Sequence, residues 1–215
     1  MVGVEKYHGT GNDFIIVDAD EEVPDRRAFA ADLCDRETGL THPDALKTGA
    51  DGILFLALED EYSPPRVVMT LVQPDGSVAA MCGNGARCAA KWVAERTGAT
   101  EVMIDTQAGT RRAEIGDQGV TIEMGAPTFE PDEVPVATDE PLIETTVEGL
   151  PVTAVNTGVP HAVAFVDDVT TVDVDEIAPA VRNADIFPEG ANVNFAARRP
   201  DGGLSSDGER EQDER

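Results

Sequence analysis

Apolar residues gather along this chain in short runs bounded by turn formers, the pattern of β-strands. FIIVD at Phe14 to Asp18, GILFL at Gly52 to Leu56, RVVMTLV at Arg66 to Val72, EVMIDT at Glu101 to Thr106, GVTIEM at Gly119 to Met124 and HAVAFVD at His161 to Asp167 are predicted to be extended. Two stretches carry helical spacing instead. Asp25 to Asp35 is one; Ala86 to Thr97 is the clearer, with Ala86, Ala89, Ala90 and Val93 on one stripe and Gly98 as its stop. The elements do not alternate regularly, which predicts an α+β class.

The Pro- and acid-rich text APTFEPDEVPVATDEP, Ala126 to Pro141, reads as the passage between two domains, 1–126 and 127–197. Residues 198–215 hold one apolar residue, Leu204, and are expected to form a polar, disordered tail. A faint echo crosses the passage. Thr10-Gly11 leads to a strand ending Val17-Asp18, Thr157-Gly158 leads to one ending Val166-Asp167, and Pro74-Asp75-Gly76 recurs as Pro200-Asp201-Gly202. In one order, these matches predict a duplicated domain whose second copy is unfinished.

Charge narrows the function. The 215 residues hold 42 acidic and 16 basic side chains, a net charge of -26, which excludes a nucleic-acid or anionic-membrane surface. The acids are dispersed, and only Lys6, Lys47 and Lys91 are lysines, a balance expected of a protein working at high salt, where self-repulsion is screened. No signal segment or membrane span is legible, so a cytoplasmic location is expected. Three cysteines make no disulfide framework and lack the paired spacing of a zinc site, and no Gly-Lys-Ser or Gly-Lys-Thr phosphate loop occurs.

MCGNGARC, Met81 to Cys88, is the most informative stretch. Gly83 and Gly85 free the backbone for positive φ, and the following helix sets its positive end there, a seat for a carboxylate or phosphate. The same field is expected to bring the thiol of Cys82 down from about 8.5 toward neutrality. A thiolate beside a carboxylate seat can take the α-proton of an amino or hydroxy acid; the plain alternative is a small buried side chain. Cys88 is read as helix core. In HGTGNDF, Asn12 is either a turn former or an amide offered to substrate, and Asp13 a turn former. His161, at a strand mouth in NTGVPHAV, is either structural or tunes a thiol. Asn192 and Asn194 alternate to one side of a short strand in PEGANVNF.

HGTGNDFIIVD, TGADGILFL, QPDGSVAAMCGNGARCAA, TQAG, VTIEMGAP, NTGVPHAVAFVDD and FPEGANVNF together resemble the diaminopimelate epimerases, in order, from about Val4 to Ala197. The resemblance implies two pseudo-symmetric domains, each a mixed sheet wrapped around a central helix, the second domain incomplete here. It implies a cofactor-independent isomerase of lysine biosynthesis that interconverts LL-2,6-diaminopimelate and its meso form without pyridoxal phosphate or metal, with no partner beyond its substrate except a second copy in a homodimer. One cysteine removes the α-proton and another returns a proton to the opposite face. Carried over, Cys82 resembles one of that pair and His161 the residue that tunes a catalytic thiol, while Asn12, Gln73, Gly83, Asn84 and Asn192 resemble the substrate contacts.

The chain departs from the pattern at several places. Gln73 stands for the family's Asn, Val159 for the Asn of Gly-Asn-Pro-His, Gly52 for a Gln of some members, and THPDALKT, Thr41 to Thr48, is an insert. No cysteine follows Cys88. A sequence cut short or frame-shifted after about residue 197 is the reading of that end, with loss of the second acid or base costing roughly 10²–10⁴-fold. The competing readings are a non-catalytic amino-acid-binding or pairing remnant, and another cofactor-independent racemase or isomerase of the same fold.

Overall fold

The computed structural model describes residues 2–43, 45, 47–200 and 202–208; parts of the expected insert (44 and 46) and tail (201 and 209–215) lie outside the described residues. The chain divides into two compact units, Met1–Met124 and Gly125–Arg215, each built on one sheet. Among the described residues no helix is long and apolar enough to cross a membrane.

The first unit runs β1 (Glu5–Gly9), β2 (Asn12–Asp18), α1 (Arg26–Cys34), β3 (Gly52–Glu59), β4 (Arg66–Val72), β5 (Val78–Ala79), α2 (Gly83–Thr97), β6 (Glu101–Thr106), β7 (Gly109–Gly116) and β8 (Gly119–Ile122). Its sheet is ordered β1-β2-β3-β4-β6-β7-β8, with β5 also on β4. The β2/β3 and β4/β6 pairs are parallel and the rest antiparallel, so the sheet is mixed.

The sheet curls around α2 because that helix is apolar over more than a stripe. Gly85, Ala86, Cys88, Ala89, Ala90, Trp92 and Val93 are all buried, an arc too wide for a helix lying on a surface. Its alanines let the strands come close, and Phe14, Ile16, Leu54, Leu56, Met69 and Leu71 fill the inner face around it. Trp92, 1% exposed, anchors this core; its Nε1 donates to Glu5 Oε1 at 3.0 Å, and Arg96 stacks 3.9 Å from its ring centre. Truncating it to alanine removes about 3–5 kcal/mol. Gly98, at φ 72, ends the helix as expected, its N–H returned to Ala94 O.

The opposite face of the sheet packs Ile15, Val17, Ile53, Phe55 and Val72 against Ala30 and Cys34 of α1. Asp25 caps that helix by accepting from the N–H groups of Arg27 and Ala28. Next to this second core lies an ion cluster. Asp13, 7% exposed, takes Arg36 through both oxygens, at 2.8 and 3.2 Å, and Lys6 at 3.0 Å. Asp13 is therefore a charge anchor rather than the simple turn former expected.

The second unit runs β9 (Thr145–Val147), β10 (Leu150–Asn156), β11 (Pro160–Phe165), α3 (Val174–Arg182), β12 (Asn192–Arg198) and β13 (Leu204–Gly208), with sheet order β13-β12-β11-β10-β9. Ala162, Ala164, Val193 and Phe195 pack with Ala178 and Val181 of α3. The passage at Ala126 to Pro141 belongs to this unit: it bridges to β10 through Thr128 and Asn156 and sinks Val134 into the core.

Duplication is visible in the connections. In both units an antiparallel hairpin is followed by a helix and a strand parallel to the hairpin's second strand, then by an antiparallel fourth: β1 to β4 correspond to β10 to β13. Two expectations need correction. Pro74-Asp75-Gly76 follows the fourth strand, whereas Pro200 and Gly202 lie between the third and fourth, so that echo does not mark equivalent turns. Leu204–Gly208, expected in a disordered tail, is a strand, because ladder bonds to β12 need backbone rather than apolar side chains.

Asp13 supplies a pH test. Burial pushes its carboxyl up, but the hydrogen bonds from Arg36 and Lys6 outweigh this and hold it below the ordinary 3.8. A depressed carboxylate contributes stability that is full above its unfolded value and lost as pH falls through the folded one. Asp13→Asn is expected to cost about 2 kcal/mol at pH 7, less than a fully buried pair because Arg36 is partly exposed. Denaturant melts at pH 7 and about pH 3 check this: the difference between wild type and variant shrinks at the acid end.

Candidate active site

The Gly-Asn-Gly segment is the first turn of α2 and not a loop before it. The helix begins at Gly83, three residues ahead of the expected Ala86, and Cys82 is its N-cap. Its Sγ accepts from the N–H of Gly85 at 3.5 Å and its carbonyl from the N–H of Ala86 at 2.8 Å. A thiol thus does what a Ser or Asp usually does, which is why the cap signal was not legible. The N–H groups of Gly83 and Asn84 are left without helical carbonyl acceptors, at the positive end of the dipole and beside the Cys82 thiol.

Positive φ was expected at Gly83 and Gly85 and is found at neither. Space explains Gly85: a Cβ there would stand 3.2 Å from Leu54 Cδ2, where the helix meets β3. At Gly83 a Cβ would make ordinary contact with Met124, 3.6 Å from its Sδ.

The β1/β2 hairpin brings Asn12 to this turn. Thr10 and Gly11, at φ 54 and 93, reverse the chain in two residues, with Gly9 opposite Asn12 in the ladder. Asn84 Nδ2 donates to Asn12 Oδ1 at 2.7 Å, joining residues 72 apart in sequence. Asn12 Nδ2 donates in turn to Asp51 Oδ2 at 3.0 Å, and Arg87 Nη1 donates to Asn84 Oδ1 at 3.1 Å and to the Thr10 hydroxyl. The structure therefore brings Asn12, Asn84, Gly83 and Cys82 together, and joins to them Thr10, Asp51 and Arg87, which the sequence reading missed. Asp51 reads as a turn former in Ala-Asp-Gly and Arg87 as an ordinary helix residue, so only the three-dimensional contacts reveal them.

The thiol does not sit where the helix field alone would put it. Burial pushes Cys82 up, the N–H groups of Gly85 and Asn84 pull it down, and the balance lies above its ordinary 9.0. The expected drop toward neutrality is thus corrected: desolvation outweighs the hydrogen bonds of the first turn. At rest Cys82 holds its proton. Cys88 and Cys34 are buried core residues, each pushed by burial to about 12.

Gln73 is engaged elsewhere. Its backbone N–H pairs with Ser77 O, and its Oε1 accepts from the Ser77 hydroxyl at 3.0 Å, closing the Pro74-Asp75-Gly76 turn. In the second unit, His161 Nδ1 lies 2.7 Å from Asn194 Oδ1, a hydrogen bond between β11 and β12. Asn192 is the ladder partner of His161 across β11 and β12, and these three residues form a polar group on the second sheet.

The family model for diaminopimelate epimerase matches residues 4–130. Diaminopimelate epimerase of Methanocella arvoryzae is 42% identical over 203 residues, spanning 90% of this chain and 69% of the relative. That of Methanothrix thermoacetophila is 41% identical over 201 residues, spanning 88% and 67%. In fold, the chain is similar to a hydroxyproline epimerase from Agrobacterium vitis (TM-score 0.56, 19% identity, 95% of this chain and 68% of that one). It is also similar to a PhzF-family phenazine biosynthesis protein from Bacillus anthracis (TM-score 0.60, 15% identity, 96% and 71%).

Thiol reactivity reads the balance at Cys82. Alkylation by iodoacetamide, followed by mass spectrometry of the Met81–Arg87 region, is expected to reach half its limiting rate above pH 9, with Cys34 and Cys88 unmodified until the chain unfolds. A half-rate near pH 7 would mean that the helix field prevails over burial.

Proposed function

This chain belongs to the diaminopimelate epimerase family, and we propose on that premise that its first unit seats one end of diaminopimelate and exchanges that end's α-proton through Cys82. The observation that carries the reading is the position of Cys82 as cap of α2, its thiol beside the N–H groups of Gly83 and Asn84, which have no carbonyl partner within the helix.

The chemistry follows from those groups. An α-carboxylate held by the two N–H groups and the dipole spreads its charge into the donors, and the charge that grows on it as the α-proton leaves is stabilised in place. Asn12 and Asn84 add side-chain N–H groups to the same seat. The thiol then acts as acid in its resting form and as base in its thiolate form, so removal and return of a proton are one reaction run both ways. Because burial favours the thiol, proton removal should rise with pH through the Cys82 value, while delivery needs no activation.

Interconversion of LL- and meso-diaminopimelate needs a second group on the opposite face of the α-carbon. No cysteine follows Cys88 in these 215 residues, so the reading is confined to the face that Cys82 serves. In the second unit, the imidazole of His161 and the amides of Asn192 and Asn194 are proposed as polar groups for an amino-acid ligand.

Proton NMR in D₂O with high KCl tests this. The α-proton signal of LL- or meso-diaminopimelate is expected to fade with wild type and to persist with Cys82→Ala, which should slow exchange by roughly 10²-fold or more. Equal exchange by the two proteins, or none by a folded wild type that binds the ligand, would contradict the role of Cys82.

A further inference from the structure

Asn12 and Asn84 lie in a row of polar side chains with a carboxylate at one end and a guanidinium at the other. We propose that Asp51 is a positioning residue which, with Arg87, fixes the direction of the Asn12–Asn84 amide pair, so that the seat offers N–H donors and prefers a carboxylate to a carboxamide. The proposal rests on reading that seat as the site of the diaminopimelate carboxylate.

An Asn side chain has an acceptor and a donor of nearly equal size, so its neighbours decide which way it points. Asp51 leaves Asn12 one choice. A carboxylate only accepts, and Oδ2 of Asp51 already takes the backbone N–H of Asp13 at 2.9 Å while Oδ1 takes Arg36. Asn12 must therefore give its Nδ2, at 3.0 Å, which turns its Oδ1 to Asn84. Asn84 gives its Nδ2 to that oxygen at 2.7 Å, and its own Oδ1 is met by Arg87, a group that only donates. Both ends enforce the same direction. Each carbonyl oxygen faces a neighbour's donor, and each amide nitrogen keeps one further hydrogen. A carboxylate accepts from those hydrogens, whereas the NH₂ of a carboxamide opposes them.

Asp51 is itself held. Its N–H donates to Asp13 O at 2.8 Å, and Arg36 bridges its Oδ1 to the Asp13 carboxylate, so Arg36 and the Asp13 backbone, not Lys6, hold the residue that orients the amides. Asparagine at 51 cannot accept from Arg36, Asn12 and the Asp13 N–H together, because one of its two positions has become a donor.

The test compares four variants by calorimetric titration with diaminopimelate and with its mono-α-carboxamide. Asp51→Asn is expected to lower the preference for the carboxylate about tenfold, Arg87→Leu to do the same from the other end, and Arg87→Lys to restore it. Lys6→Gln loosens the ion cluster at Asp13 without touching Asn12, and should lower thermal stability while leaving the preference within about twofold. Equal preferences in wild type, Asp51→Asn and Arg87→Leu would overturn the proposal. A ligand-free reading separates it from the functional one: the side-chain NH₂ signals of Asn12 and Asn84 in ¹H–¹⁵N NMR should move in Asp51→Asn and stay in Lys6→Gln. If wild type binds neither compound, the functional reading fails and these signals alone decide. Should Asp51→Asn not fold, the Arg87 pair decides instead.

Discussion

The close approach of Gly9 to the first turn of α2 is the constraint on which the site depends. A Cβ at that position would lie 2.8 Å from the Asn84 carbonyl oxygen and 3.4 Å from Cys88 Sγ, so only glycine lets the β1/β2 hairpin settle against the helix. Settled there, the hairpin tip carries Asn12 to Asn84 and Thr10 to Arg87. The enclosed, alanine-rich helix sets the height of that turn above the sheet, and Leu54, against Gly85, sets its tilt. Cys82 then has no freedom to be elsewhere: it is the residue that starts the helix.

The same hairpin was used twice, with different polar residues at its mouth. Counted back from Val17-Asp18 and Val166-Asp167, Asn12 and His161 occupy equivalent positions, each at the start of a second strand. Phe14 then corresponds to Val163, and Ile15 to Ala164, which packs toward α3 as Ile15 packs toward α1. Asn12 finds Asn84 and Asp51; His161 finds Asn194, from the strand parallel to its own. Duplication of the fold thus preserved a polar position at the mouth of each sheet while the chemistry diverged, an amide in one unit and an imidazole in the other.

Much of the frame was legible because apolar runs leave few alternatives. Arg66–Val72 and Glu101–Thr106 are strands with the ends expected, and Asp25 and Asp35 flank α1. β7 was missed because its GTRRAEIG buries only Ala113; its ladder to β6 holds it in place, not its pattern. α3 was hidden by Pro179 inside it, whose lost hydrogen bond is offset by an Asp173 cap and by Ala178 and Val181 in the core. At the site, Asn12, Cys82 and Asn84 were named from motifs, but their energetics and their partners Thr10, Asp51 and Arg87 were not. The helix field at Cys82 can be read from Gly-Asn-Gly, whereas its burial depends on strands far away in sequence, and burial decides the sign. Asp51 and Arg87 lie inside TGADGILFL and MCGNGARC, but nothing in those motifs shows the direction they impose on two amides.

The central claim is that the first turn of α2 and the hairpin tip together form the carboxylate seat. A ¹H–¹⁵N NMR titration of the chain with LL-diaminopimelate tests it most directly. The account predicts that saturation shifts the backbone amides of Gly83 and Asn84 and the side-chain amides of Asn12 and Asn84 more than any others in the first unit. A ligand that binds and leaves those four signals in place would contradict it.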